Sequence, residues 1–177
     1  GWLYFTKESF DLLYPSYGDT YPTFMGAIGM TYEQAGHGRA GLGIKTDEGE
    51  ILTLKDRALH HLTTGLSTVE ISSQNAEQLN REFKGFFDNK DLSYKSFVIK
   101  SENTDKMERL IQLLDKHEIA YGNAVNTSVK GYLYSAQKES KIEITSDDLV
   151  IPTNQPKGKM VQVLFEPKAR LVDSLTY

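Results

Sequence analysis

Residues 94–114 read YKSFVIKSENTDKMERLIQLL and contain the clearest fold signal in the chain. The opening residues, 94–100, are a strand candidate that contains the apolar run 97–99. Asn103 or Thr104 then suits a helix N-cap, and Asp105 lies where a negative charge favours the start of a helix. The apolar residues that follow recur at three- and four-residue steps: Met107, Leu110, Ile111 and Leu114. This spacing predicts an amphipathic helix after the strand.

Further strand candidates follow this helix. They lie near 119–125, at 129–135 and at 141–145, and the stretch 151–177 is apolar in patches. A strand, a helix and a second strand in succession predict a small α/β unit with a right-handed crossover. We therefore expect residues 92–177 to form an appended small α/β (or α+β) domain.

Upstream, a different apolar pattern begins at Leu54. Its first series has helical spacing and comprises Ala58, Leu62, Leu66 and Val69. A second series comprises Ala76, Leu79, Phe83 and Phe86 with Phe87. One long helix and two joined helices both fit this pattern. We expect residues 1–74 to form one unit and residues 75–91 to be a helical connector.

The N-terminal part is richer in turns. Residues 6–13 predict a short helix, and the prolines and glycine of residues 15–22 predict a loop. Residues 27–32 are small and apolar and predict a buried strand that ends at Glu33. The four glycines of 36–43 predict another loop.

Composition limits the classes of function. The chain has 177 residues, of which 39% are hydrophobic and 25% are charged, as is typical of globular proteins. The net charge is -4 and no stretch concentrates Lys and Arg, so we expect no nucleic-acid partner. The apolar runs are shorter than the roughly 20 residues that cross a bilayer, so we expect no membrane partner. There are no cysteines, which excludes disulfides and thiolate chemistry.

The histidines do not form a metal motif. Adjacent His60 and His61 point about 100° apart on a helix and cannot chelate as a pair. His37 and His117 stand apart from them in the sequence, and no histidine is followed by Glu three residues later. We therefore expect no metal ligand set in this chain.

The glycines Gly36, Gly38 and Gly41 match the pattern G-x-G-x-x-G of dinucleotide sites. That pattern needs a helix to begin there, because the amides at the helix N-terminus bind the pyrophosphate. The residues that follow, IKTDEGE, are instead turn-like. A glycine loop is the better interpretation.

Glu33 is the one carboxylate in a suggestive position, because it ends the small and apolar run. Desolvation there would make a carboxylate more basic, as a general base requires. A solvated residue at the end of a strand is the alternative.

Two long stretches resemble a known family. FTKESFDLLYPSYGDTYPTFMGAIGMTYEQAGHGRAGL (5–42) and LTLKDRALHHLTTGLSTVEIS (52–72) resemble the C-terminal part of the catalytic domain in bacterial multidomain zinc carboxypeptidases of the funnelin type. The resemblance is close over 2–73. Residues 151–177 resemble, more loosely, the region that follows the peptidase domain. The resemblance implies that residues 1–74 are the remnant of a carboxypeptidase-like α/β/α domain.

The resemblance also implies roles for two residues. In this family zinc is held by two His and one Glu and keeps a position for water. A separate glutamate in the motif GMTYEQAG acts as general base, and Glu33 matches it. A tyrosine on the preceding loop closes over the end of the peptide substrate. Tyr17 is the best match, with Tyr14 and Tyr21 as alternatives.

The chain departs from the family in lacking the paired ligand motif H-x-x-E. The resemblance therefore implies that zinc, and the catalytic-domain residues that bind it, belong to upstream sequence in a longer parent. We expect this chain alone to hold no zinc and to be inactive. The alternative function is a non-catalytic appended module for binding or interdomain packing.

Two further expectations concern self-association and the location of the parent protein. The many aromatic residues near the N-terminus favour dimerisation if they are exposed, and they include Trp2, Tyr4, Phe5 and Phe10. The resemblance implies a secreted or periplasmic parent.

Overall fold

The computed structural model describes residues 17–33 and 41–168. The predicted helix at 6–13 lies outside these ranges. Helices and small antiparallel sheets make up the described part, which confirms the predicted mixed α/β class. In chain order its elements are α1 (Thr20–Thr23), β1 (Gly43–Lys45), β2 (Ile51–Thr53), α2 (Leu54–Gln74), α3 (Ala76–Phe86), β3 (Ser96–Ile99), α4 (Thr104–Lys116), β4 (Gly122–Asn123), β5 (Thr127–Leu133), β6 (Lys138–Ile144), β7 (Leu149–Pro152) and α5 (Gly158–Phe165).

The strand–helix–strand unit forms around a third strand. Both β3 and β4 pair antiparallel with β7, which lies between them, so β3 and β4 run parallel to each other. Helix α4 connects the two, and the Asn103 side chain caps it by accepting a hydrogen bond from the Lys106 amide at 2.9 Å. The strand and helix predicted at 94–114 are thus confirmed. The sequence did not indicate that β7 inserts between β3 and β4.

The hydrophobic core belongs to this unit. Its buried side chains lie on β3, α4, β7 and α5 and just after α4: Phe97, Leu114, Ile119, Leu149, Ile151, Met160 and Val161. The predicted apolar residues of α4 either belong to this cluster or pack against it. Strands β5 and β6 form a separate hairpin, close to the strands predicted at 129–135 and 141–145.

Two helices, rather than one long helix, follow the short hairpin of β1 and β2, and they meet at Asn75. A capping box fixes the start of α2. The Thr53 hydroxyl accepts from the Asp56 amide at 3.1 Å, and the Asp56 carboxylate accepts from the Thr53 amide at 3.0 Å. The Thr53 hydroxyl also donates to the Asp56 carboxylate at 2.5 Å, and this bond, together with the one from the Thr53 amide, lowers the pKa of Asp56. None of the helices in the described ranges is both long enough and apolar enough to cross a membrane.

The strand predicted at 27–32 is wrong. These residues have no strand assignment, and Ile28, Met30 and Tyr32 are exposed. An apolar run becomes a strand only where a neighbouring strand satisfies its backbone hydrogen bonds, and no described strand does so here. The predicted loop at 15–22 also differs in part, because residues from Thr20 onward form the four-residue helix α1.

Candidate functional site

Residues 17–33 form a closed loop that carries both predicted site residues. The Thr31 hydroxyl donates to the Asp19 carboxylate at 2.5 Å, and we refer to this contact as the Asp19–Thr31 clasp. The Gly29 backbone also approaches Asp19 closely, since a Cβ at Gly29 would lie 1.7 Å from the Asp19 carbonyl oxygen. The hydrogen bond from Thr31 lowers the pKa of Asp19. The two ends of the loop are therefore held together.

Tyr17 and Glu33 flank the clasp, one on each side. Each is two residues from a clasp residue, so its Cα lies within about 7 Å of the Cα of Asp19 or Thr31. Both side chains are exposed, and 48% of the Tyr17 surface is accessible. Glu33 is exposed and the apolar run before it lies on the surface, so the described part of the chain fits the alternative of a solvated carboxylate rather than a desolvated one. The catalytic role of Glu33 and the binding role of Tyr17 stay predictions.

One side of the loop rests on the core. Tyr21, Phe24 and Met25 pack against the core cluster. The Tyr21 hydroxyl is 2.9 Å from Nδ1 of His117, at the C-terminal end of α4, and the rings stand 5.6 Å apart. Lys157 Nζ lies 2.9 Å from the Met25 sulfur. The α/β unit thus supports the loop from α1 onward.

The other end of the loop rests on α2. The Tyr32 hydroxyl is 2.7 Å from the Thr68 hydroxyl and also donates to the Met30 sulfur at 2.9 Å. Tyr32 is the residue immediately before Glu33. Its hydrogen bond to Thr68 therefore links the backbone position of Glu33 to α2.

An open, mostly apolar groove of about 440 Å³ lies between residues 26–28 and α3. Leu79, Phe83 and Phe86 line its α3 side, and among the described residues Glu82 is the only titratable one in the lining. Lys159 Nζ lies 4.3 Å from the centroid of the Phe86 ring, outside the lining. This groove offers an apolar contact surface rather than a reacting group.

Within 17–33 and 41–168, no group of three or more His, Cys, Asp or Glu side chains could hold a metal ion. His60 and His61 are neighbours on α2, and His117 is engaged by Tyr21. His37, Gly36 and Gly38 lie outside the described residues. Gly41 has φ +126° and leads into a strand, so the helix that a nucleotide site needs does not follow it. These described residues do not fit a zinc ligand set of two His and one Glu.

Gly29→Ala should break the clasp, because the new Cβ can be accommodated only if the backbone of the loop moves. We expect the amides of Gly26 and Ala27, which bond to Thr23 and Pro22 within the loop, to exchange hydrogen at least about tenfold faster.

Gly18→Ala is the matched control, because a Cβ at Gly18 meets no atom within 4 Å. Hydrogen exchange followed by NMR compares the two variants. Equal protection of the Gly26 and Ala27 amides in both would show that the Gly29 approach does not hold the loop closed.

Comparison with protein-family models, with curated proteins and with solved structures found no match to this chain.

Proposed function

We propose that this chain is part of a zinc metallocarboxypeptidase that removes C-terminal residues from peptides. In this proposal Glu33 is the general base and Tyr17 contacts the peptide substrate. Two observations support it. The first is the resemblance of residues 2–73, which extends over many residues in the same order. The second is the Asp19–Thr31 clasp, because Glu33, the proposed general base, and Tyr17, the proposed binding residue, lie at the end of the loop that the clasp closes.

The chemistry assigned to this chain is proton transfer. An exposed carboxylate at position 33 can accept a proton from the water that attacks the peptide carbonyl, and it can return that proton to the leaving amine. The Tyr17 hydroxyl and ring can contact the terminal residue of the peptide from the other side of the clasp. Hydrogen bonding of the adjacent Tyr32 to Thr68 at 2.7 Å restrains the backbone beside the base.

Zinc would supply the polarisation of the scissile carbonyl in the parent enzyme. The described residues do not fit its ligand set, so the proposal assigns the ligands to catalytic-domain residues upstream of this chain. A general base without that centre has no activated water from which to take a proton. The isolated chain is therefore proposed to be inactive.

A second candidate function is interdomain packing by the α/β unit. The observation in its favour is that Tyr21, Phe24 and Met25, from the loop of the candidate site, pack on a core made by residues 97–161. Fully burying a Phe or Met side chain contributes about 1.5–3 kcal/mol, so each of these partly buried side chains contributes less. In this second candidate function the α/β unit supports the loop of the candidate site and takes no part in catalysis. One parent protein can have both the catalytic and the packing function.

Upstream sequence separates the two candidates. We expect a full-length parent that includes the catalytic-domain residues to bind zinc and to release C-terminal residues from peptides. A parent that keeps a folded α/β unit but neither binds zinc nor hydrolyses peptides would leave only the packing function.

A further inference from the structure

Helix α2 exposes its aliphatic residues and turns its polar side toward the rest of the chain. All its aliphatic residues are exposed, and none of its residues is buried. The five half-buried residues are all polar: Asp56, Arg57, His60, Thr64 and Thr68. The polar side is the one in contact with the rest of the chain, through Tyr32 on Thr68 and through Arg57, which donates to the Gly41 carbonyl at 2.6 Å. Surface helices usually show the opposite arrangement.

The exposed aliphatic residues form a continuous stripe. At about 100° per residue, six of them fall within roughly 140° of the helix circumference. We call this set the α2 stripe, and its members are Leu54, Ala58, Leu59, Leu62, Leu66 and Val69. The five larger side chains are between 46% and 68% exposed. A contiguous apolar surface on the outside of a protein usually marks an interaction site when it exceeds a few hundred Å².

We propose that a second copy of this chain covers the α2 stripe, stripe against stripe, in a symmetric dimer. The steps from Leu59 to Leu62, Leu66 and Val69 are three, four and three residues, which is the repeat of a seam between two paired helices. Four positions beside this seam are uncharged and either small or polar: Ala58, Thr63, Gly65 and Ser72. Small flanking residues let two helix backbones approach each other.

The charges at the ends of the stripe suit self-pairing. Lys55 lies at its N-terminal end and Glu70 at its C-terminal end. An antiparallel pair of helices brings Lys55 of each copy near Glu70 of the other, so the opposite charges complement each other at both ends. The middle of the stripe carries no charge, so its burial leaves no charged group unpaired.

The available area fits a modest affinity. If each of the six stripe residues loses at most about 100 Å² of accessible surface, the two copies together bury at most on the order of 1,200 Å². This is near the lower limit of specific interfaces, which bury about 1,200–2,000 Å². We therefore expect a dimer that dissociates when the protein is diluted from millimolar to low micromolar concentration.

Leu62 and Ile71 provide a matched test. Both are 57% exposed on α2, and their separation of nine positions places them on opposite sides of the helix. Leu62→Glu should raise the dimer dissociation constant at least about a hundredfold, because each dimer loses two buried Leu side chains. Ile71→Glu should leave the dissociation constant nearly unchanged.

Sedimentation velocity over a concentration series is the measurement, with far-UV circular dichroism to show that both variants keep their helices. The unsubstituted chain should approach twice its 20.0 kDa mass at high concentration. A chain that stays monomeric at about 1 mM would overturn the proposal, as would a dimer that Leu62→Glu leaves intact. Equal weakening by both variants would also overturn it, since the contact would then not be specific to the stripe.

Discussion

Glutamine in place of Glu33 is expected to slow peptide hydrolysis by the full-length parent by between about a hundredfold and ten-thousandfold, while zinc stays bound. Glutamine has nearly the shape of glutamate but cannot accept the proton of the attacking water. The proposed ligands lie upstream, so the substitution removes none of them. The measurement is the rate of release of a C-terminal residue, together with the zinc content of the same protein.

Glu50→Gln is the control for this experiment, because Glu50 is also an exposed glutamate of the first 74 residues but lies in the turn before β2. It should hydrolyse peptides at the unsubstituted rate. If the Glu33 variant also keeps that rate, Glu33 has no part in the reaction. If it loses zinc together with activity, its role is to bind metal and not to act as a base.

The second large effect concerns stability and involves Asp148, whose side chain is only 1% exposed. Its carboxylate pairs with Lys100 and accepts hydrogen bonds from the amides of Thr145 at 2.8 Å and Ser101 at 3.2 Å. It therefore ties the residues after β3 to the turn between β6 and β7. Asp148→Asn should lower the free energy of unfolding by about 2–4 kcal/mol, because these donors lose a charged acceptor.

The same carboxylate makes stability depend on pH. Burial alone would raise the pKa of Asp148, but the hydrogen bonds from Lys100, Thr145 and Ser101 outweigh burial and lower it from 3.8 to about 2. A carboxyl whose pKa is lower in the folded state stabilises the fold above its unfolded pKa. That stability is lost as the pH falls through the folded pKa. The advantage of the unsubstituted chain over Asp148→Asn should be full at pH 7 and decline between about pH 4 and pH 2.

Urea unfolding at pH 7 and near pH 2 measures both effects. Asp147→Asn is the control, because Asp147 is the neighbouring residue and is exposed. It should change the free energy of unfolding by less than about 0.5 kcal/mol. A difference between the Asp148 variant and the unsubstituted chain that is the same at both pH values would show that the carboxylate charge is not the cause.

Local signals predicted the elements whose structure depends on nearby residues. Strand β3, the Asn103 cap and helix α4 followed from residues 94–114, because a cap and a helical period involve only neighbours in sequence. Strand β7 was not assigned, because its role depends on distant partners. Phe97 pairs with Ile151 across the sheet, 54 positions away. No local pattern contains that information.

The failed predictions have the same physical origin. The apolar run 27–32 has the composition of a strand, but no described strand pairs with it, and it lies on the surface. The period of α2 predicted the helix but not that its polar side would be the covered one. In the candidate site, Glu33 and Tyr17 came from the resemblance alone. The Asp19–Thr31 clasp beside them could not be predicted, because a polar pair twelve residues apart has no sequence signature.

The zinc content of this chain and of the full-length parent, measured side by side after dialysis against a weak chelator, shows whether Glu33 belongs to a zinc enzyme whose metal ligands lie upstream. We expect about one zinc per parent molecule and less than about 0.1 per molecule of this chain, because the proposed ligands are upstream residues. About one zinc bound to this chain alone would contradict this expectation, and would point to a site that includes His37, His60 or His61. A folded parent that binds no zinc would contradict the proposed function equally, because Glu33 could not then be the general base of a zinc carboxypeptidase.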